Sequence, residues 1–301
     1  MRMLSRLYDA NLYPPGVPHP DFLAPPGEPA LVSAASVSWR VFANPVSLFV
    51  GGVLAVILEL ALPEVRHGVW DHSTFADDPK TRLQRTGLAA MVTVYAARSV
   101  ALPMIAGVNA AHARVRGVTD TGEPYAATDE DLLVWVQATA AFGFGAAYGA
   151  LVRPLTDAHW NALFAEGAPV AAAYGAHGAP ASLSAWSALL ARTASCLERS
   201  DVLETFLAIM ASAPVLPPVV RTRQASLVRV AASLVPDEAG LALPGWRAGR
   251  ADLALAKAAA RAADRVRVAS SPPVLACRRL GLDPRAVLGG PPPSPAAARG
   301  A

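Results

Sequence analysis

Residues 45–62 read PVSLFVGGVLAVILELAL, an apolar run that contains a single charged residue, Glu59. Asn44-Pro45 is a typical helix start, and Pro63 is a typical helix stop. As a helix the run would be about 27 Å long, slightly shorter than the roughly 30 Å hydrocarbon core of a membrane. We therefore predict a buried core helix here, with a membrane or re-entrant segment as the alternative.

The composition points to extensive apolar burial. Hydrophobic residues make up 53% of the 301 residues and charged residues only 16%, against roughly 25% charged in an ordinary domain. The net charge is +3, and the arginines are dispersed, so nucleic-acid binding is disfavoured. The two cysteines, Cys196 and Cys277, form no paired motif. A disulfide framework, a cysteine zinc site and covalently attached c-type haem are therefore excluded.

The chain divides into three predicted segments. Residues 1–36 are a proline-rich extended arm without the apolar stretch of a signal peptide, so a cytoplasmic location is the default expectation. Residues 37–285 form one helical domain. Residues 286–301 include the low-complexity run GGPPPSPAAARGA from Gly289 and are predicted to be disordered.

Start and stop signals predict the helices. A polar loop with two histidines covers 63–73. Asp78-Pro79 opens a helix to about Ser99, Pro103 forces a kink or break, and the helix resumes until Gly117. Another helix starts at Thr128-Asp129-Glu130-Asp131 and ends near Leu151. A short helix begins at Thr156-Asp157 and ends near Gly167, and a loop covers 168–180. Further helices are expected near 183–197, 201–212, 221–234 and 250–267.

No run of alternating β-branched residues requires a sheet, so the predicted fold class is all-α. Gly143, Gly145 and Gly149 would allow close approach of another helix or of a flat ligand. We predict tight helix packing there.

His112 is the main candidate functional residue. It lies near the end of an apolar run, and Arg82, Arg85 and Thr86 lie on the preceding predicted helix. Neutral imidazole ligates haem iron, and arginine suits carboxylates such as haem propionates. The alternatives are a core histidine and a solvated helix start. His67, Asp71 and His72 are too loosely spaced to favour a non-haem iron site.

A set of motifs in order carries a resemblance. They are Trp39-Arg40, Glu59 to Pro63, Gly68-Val69-x-Asp71-His72-Ser73, Arg82-x-x-Arg85-Thr86, His112-x-x-Val115-Arg116-Gly117, Tyr125-x-x-x-Asp129, Trp135-Val136, Ala165-Glu166 and Pro272-Pro273. Over roughly residues 37–285 the chain resembles the catalytic domain shared by rubber oxygenase (latex clearing protein) and the MpaB-type oxygenases.

The resemblance implies a globin-like helical core that holds haem b. His112 matches the iron ligand, and Arg82, Arg85 and Arg116 would contact the cofactor. Arg85 and Thr86 would be catalytic, through hydrogen bonds to dioxygen or substrate. Rubber oxygenase has lysine where this chain has Arg85, and arginine is a poor ligand. An open or water-bound distal site is therefore expected.

A second departure is Gln137, where many members have histidine. Glutamine cannot shuttle a proton at neutral pH.

These observations favour a haem b oxygenase that uses dioxygen to oxidise or cleave a C=C bond of an apolar small molecule. The first alternative is a non-catalytic carrier of haem or a lipid-like ligand. The second is a membrane-peripheral structural protein that uses residues 45–62. The sequence contains no nucleophile elbow, P-loop or dinucleotide-binding glycine motif. Hydrolase, nucleotide and nicotinamide functions are therefore unsupported.

Overall fold

The computed structural model describes residues 8–216 and 218–293. The predicted disorder of the tail falls partly on residues 294–301, which lie outside the described residues, as do residues 1–7 of the arm. The elements, in chain order, are α1 Val37–Val41, α2 Pro45–Ala61, α3 Pro63–Trp70, α4 Pro79–Tyr95, α5 Arg98–His112, β1 Arg116–Val118, β2 Pro124–Ala126, α6 Glu130–Leu151, α7 Asp157–Glu166, α8 Ala168–Ala173, α9 Leu183–Thr193, α10 Asp201–Ser212, α11 Pro218–Arg221, α12 Gln224–Ala232, α13 Arg250–Ala263, α14 Pro272–Arg279 and α15 Pro284–Leu288. The predicted all-α fold class is confirmed.

Helices α2 and α6 form the centre of the larger hydrophobic core. Glycine lets their backbones meet, because a Cβ atom at Gly143 would stand 2.6 Å from Gly51 O. A Cβ atom at Gly145 would stand 2.5 Å from the Trp160 ring on α7. The prediction of tight helix packing is therefore confirmed for these two glycines. The Trp135 indole nitrogen on α6 donates to Leu58 O on α2 at 3.1 Å.

A second core packs the arm against α4 and α14. Phe22 and Val32 of the arm are buried in it. The Arg279 guanidinium on α14 donates to Phe22 O at 3.0 Å and to Glu28 O at 2.9 Å. The boundary at residue 36 stays a prediction, but these contacts make the arm part of the packed structure.

The carboxylate of Glu166, the last residue of α7, fixes the start of α1. It accepts from Val37 N and Ser38 N, both at 3.0 Å, and from Ser38 Oγ at 2.8 Å. These contacts satisfy amides that a helix N-terminus leaves without intrahelical partners. The Ala165-Glu166 motif therefore has a structural role in this chain.

The segment 63–73 was predicted as a polar loop, and this was wrong for its first eight residues, which form α3. Pro63 ends α2 but also occupies the first turn of α3, where its missing N–H costs nothing. The prediction of a loop over 168–180 was likewise wrong at its start, where Pro169 lies in the first turn of α8.

The break predicted at Pro103 falls instead at Ala96-Ala97, and Pro103 lies inside α5. The arm explains the difference. Arg98 N donates to Pro29 O at 3.0 Å, and the Glu28 carboxylate accepts from Ser99 N. Amides that would have extended α4 thus bond to a segment about 70 residues away in sequence.

Helix α5 ends at His112, so the prediction that it continues to Gly117 was wrong. Gly117 lies in β1 and pairs with Tyr125 of β2 in a small antiparallel hairpin. A Cβ atom at Gly117 would stand 2.6 Å from the Tyr125 hydroxyl, so this close approach requires glycine. The hairpin strands have three residues each, too few for an alternating pattern to be visible.

Within the described residues, α6 is long and apolar enough to cross a membrane. Helices α2 and α3 together would form a second candidate span, but they meet at a 112° bend. In this structure α2 is largely buried inside the bundle, as predicted for a core helix.

Candidate functional site

Three polar side chains from three helices are linked by the charge of one arginine. They are Glu59 on α2, Arg82 on α4 and His112 on α5, and we call them the polar cluster. The charge of Arg82 acts on both the Glu59 carboxyl and the His112 ring. The sequence grouped Arg82 with His112, but it did not place Glu59 with them.

The His112 ring is half-buried. Its Nδ1 atom is enclosed and has no hydrogen-bond partner among the described residues. Burial lowers the pKa of His112, and the positive charge of Arg82 lowers it further. The ring is therefore neutral at physiological pH, which is the form that binds metal ions.

Nε2 of His112 also makes no hydrogen bond with any described residue. Because Nδ1 is enclosed, Nε2 is the nitrogen through which this ring can bind a ligand. A ligating histidine usually donates its other N–H to a carbonyl or carboxylate. The described residues do not supply such a partner for His112.

The Glu59 carboxyl is surrounded by protein but keeps some accessible surface. Burial raises its pKa to about 7, although Arg82 and a hydrogen bond from Thr139 act in the opposite direction. The Thr139 hydroxyl has other acceptors within reach, at 2.9 Å (Trp135 O) and 3.0 Å (Val136 O). Burial is therefore the dominant effect, and Glu59 can exchange a proton near neutral pH.

Arg82 forms no ion pair within 4.0 Å in the described part of the chain, although Glu59 attracts it. Burial lowers its pKa, and Arg85 lowers it further. Its Nη1 atom donates to the Thr86 hydroxyl, one turn along α4. A half-buried guanidinium without a paired anion can accept a carboxylate from a ligand.

The other predicted site residues are Arg85, Thr86 and Arg116. Arg85 and Thr86 are exposed on α4, and Thr86 Oγ1 also donates to Arg82 O at 3.0 Å. Arg116 lies in β1, where its guanidinium donates to Ala113 O at 3.2 Å. Thus Arg82 and Thr86 are in contact, whereas Arg116 forms no hydrogen bond or ion pair with another predicted site residue among those described.

Arg98 is exposed at the start of α5, whereas the arginine whose charge acts on Glu59 is Arg82. The sequence contained a signal for Glu59 as the only acid in the run 45–62. It contained no signal for which arginine would approach it, because that depends on where the fold places α4 relative to α2.

The histidines after α2 form a separate network. His67 Nδ1 lies 2.8 Å from Asp71 Oδ2, and His67 Nε2 lies 3.3 Å from Asp120 Oδ2. His72 Nε2 lies 3.1 Å from the Tyr125 hydroxyl. Within the described ranges no three histidine, cysteine or acidic side chains gather as a metal site would require. These histidines instead connect α3 and its C-terminal loop to the hairpin.

Gln137 is half-buried on α6, and its side chain makes no hydrogen bond to the described residues. Two surface pockets lie away from the polar cluster. One lies between the arm and α4 and is lined by Asp9, Tyr13 and Lys80. The other lies along the hairpin at Arg116 and Tyr125. Neither includes His112 or Glu59.

The fold and the cluster define an all-α domain with an ionisable group, a cation and an imidazole gathered among its helices. Residues 39–294 match the family described as ER-bound oxygenase mpaB/B'/Rubber oxygenase, catalytic domain, and the chain belongs to that family. It is thus a member of an oxygenase family, which supports an oxidoreductase acting on a small molecule with dioxygen. No curated protein and no solved structure shows a significant match to the chain.

Proposed function

We propose that the protein is a haem b-dependent oxygenase that cleaves or oxidises a C=C bond of an apolar small molecule. The observation that carries the proposal is the His112 ring, which is neutral, half-enclosed and without a hydrogen-bond partner among the described residues at either nitrogen. Membership of an oxygenase family supplies the reaction class.

The residues present fit a haem. The neutral His112 ring would bind the iron through Nε2, and Arg82 would pair with a propionate. Bound haem would supply the redox chemistry of dioxygen.

Oxidative cleavage of an alkene by one dioxygen molecule balances without a reductant. The carbon–carbon double bond and the oxygen–oxygen bond both break completely. Each of the two alkene carbons then forms a carbonyl with one oxygen atom. The protein would exclude water and position the alkene. Glu59 would hold or release a proton near neutral pH, and Arg82 would fix the charged edge of the cofactor.

The experiment is a spectrum of the full chain purified with haem supplied, with pyridine haemochrome quantification. We expect a Soret band and about one haem per chain. The His112→Ala variant should lose most bound haem, whereas His177→Ala, which changes an exposed loop histidine, should retain it. Full haem content in His112→Ala would contradict the ligand assignment.

The alternative function is a carrier of haem or a lipid-like ligand that binds at the same residues without turnover. Oxygen consumption with short isoprenoid alkenes separates the two functions. Uptake of dioxygen with matching carbonyl products supports the oxygenase. A haem-loaded protein that consumes no oxygen with any alkene tested would favour the carrier.

A further inference from the structure

Helix α5 is uncharged on the side that faces away from the protein. Its exposed residues there are Ser99, Leu102, Pro103, Ala106, Gly107, Ala110 and Ala111, which we call the outer face of α5. Helical geometry places this face opposite His112, Ile105 and Ala101. A surface helix normally carries charged residues on that side, and a helix that is apolar all round is normally buried. None of the described residues therefore covers the outer face.

The shape of this surface suits another helix. Leu102 and Pro103 stand at one end, and small residues make the other end nearly flat. A Cβ atom at Gly107 would meet no heavy atom within 4 Å, so the surface is open. Small residues let two helix backbones approach closely, whereas alanine and glycine provide little apolar area for anchoring in lipid.

Charges at the two ends of α5 specify an orientation. Glu28 lies at the N-terminal end, where its carboxylate accepts from Ser99 N at 2.6 Å and Ser99 Oγ at 2.8 Å. These hydrogen bonds lower the pKa of Glu28, which keeps it ionised. Arg114 follows the C-terminal end, is exposed, and has no ion pair with any described residue. The N-terminal end thus presents the Glu28 carboxylate beside the exposed Arg98, and the C-terminal end presents an unpaired cation.

We infer that α5 packs antiparallel against α5 of a second copy of this chain. Centring the two-fold axis between Ala106 and Gly107 places Ser99, with Glu28, opposite the partner's Arg114. The same register places Pro103 opposite the partner's Ala110. A parallel arrangement would bring the two Arg114 guanidiniums together. Arg98 lies about 100° around the helix from Ser99, at the edge of the contact.

An interface the length of one helix is small, so we expect a dimer with a Kd in the micromolar range. Because each residue contributes twice to a two-fold interface, one substitution places a carboxylate against the partner's Pro103 at two symmetric positions. Ala110→Glu should therefore weaken dimerisation on the order of 100-fold. Ala258→Glu, on an exposed position of α13, is the matched control.

Sedimentation equilibrium of the full chain from about 1 to 100 µM measures the dimer Kd, since a micromolar dimer dissociates in that range. We expect the mass to rise from 31.2 kDa toward twice that value, with Ala110→Glu monomeric and Ala258→Glu unchanged. Circular dichroism of each variant confirms that it is folded.

Cross-linking tests the register. In a Cys196→Ser background, a cysteine at Ala106 should form a disulfide with its own copy, and a cysteine at Ala258 should not. A wild-type monomer throughout the range would overturn the inference, as would a dimer unaffected by Ala110→Glu. Monomers that bind phosphatidylserine vesicles, with binding lost in Ala110→Glu, would assign the outer face to a lipid surface and also overturn it.

Discussion

Replacing Glu59 with glutamine should stabilise the haem-free protein at alkaline pH but not at acidic pH. Burial raises the pKa of Glu59 from 4.5 to about 7, so the folded protein binds this proton more tightly than the unfolded chain does. The carboxyl therefore costs nothing below about pH 4.5. The cost grows as the pH rises toward 7 and is constant above it.

The full shift corresponds to about 3 kcal/mol of unfolding free energy. Glu59 keeps some accessible surface, through which water can reduce the penalty, so we expect about 2 kcal/mol at pH 8. The assay is urea denaturation of wild type and Glu59→Gln at pH 4.5, 6 and 8. Glu123→Gln, on the exposed turn of the hairpin, controls for the loss of one negative charge.

The difference between wild type and Glu59→Gln should be near zero at pH 4.5 and increase with pH, while Glu123→Gln should show a flat difference. A Glu59→Gln protein that is equally stable or less stable than wild type at pH 8 would refute the reasoning. Such a result would mean that attraction by Arg82 outweighs the burial of Glu59.

Two further predictions concern packing. Gly143→Ala should lower the unfolding free energy by about 1–3 kcal/mol because its Cβ atom would stand 2.6 Å from Gly51 O. The control is Gly87→Ala, whose Cβ atom would meet no atom within 4 Å. In the same urea denaturation assay this control should be neutral or stabilising by up to about 1 kcal/mol. Arg279→Met should lower the unfolding free energy by about 3 kcal/mol, since it removes two charged hydrogen bonds to arm carbonyls. It should also make Phe22 accessible to chymotrypsin. The control Arg278→Met, which changes an exposed neighbour, should behave as wild type, and equal cleavage of the two variants would contradict the role given to Arg279.

Local signals predicted the central helices because their ends are determined locally. Asn44 accepts from the amides of Val46 and Ser47 at the start of α2. Asp129 accepts from Asp131 N at the start of α6. Side-chain caps of this kind lie within three residues of the amides that they satisfy, so the sequence displays them directly.

The break between α4 and α5 could not be predicted in the same way. It depends on Pro29 O and Glu28 meeting the amides of Arg98 and Ser99, about 70 residues further along the chain. The association of Glu59 with Arg82 likewise depends on packing between helices. Periodicity indicates which face of a helix is apolar, but it does not indicate which helix covers that face.

Gln84 connects the beginning of the described chain to the candidate site. Its side-chain amide nitrogen is within hydrogen-bond distance of Ala10 O, Asn11 O and Tyr13 O, at 3.0 to 3.4 Å. Arg82 lies two residues earlier on the same helix. Displacing the helical turn at residues 8–12 from the protein would therefore break hydrogen bonds to α4. A molecule that binds this turn could thus alter the position of the Arg82 guanidinium without entering the site.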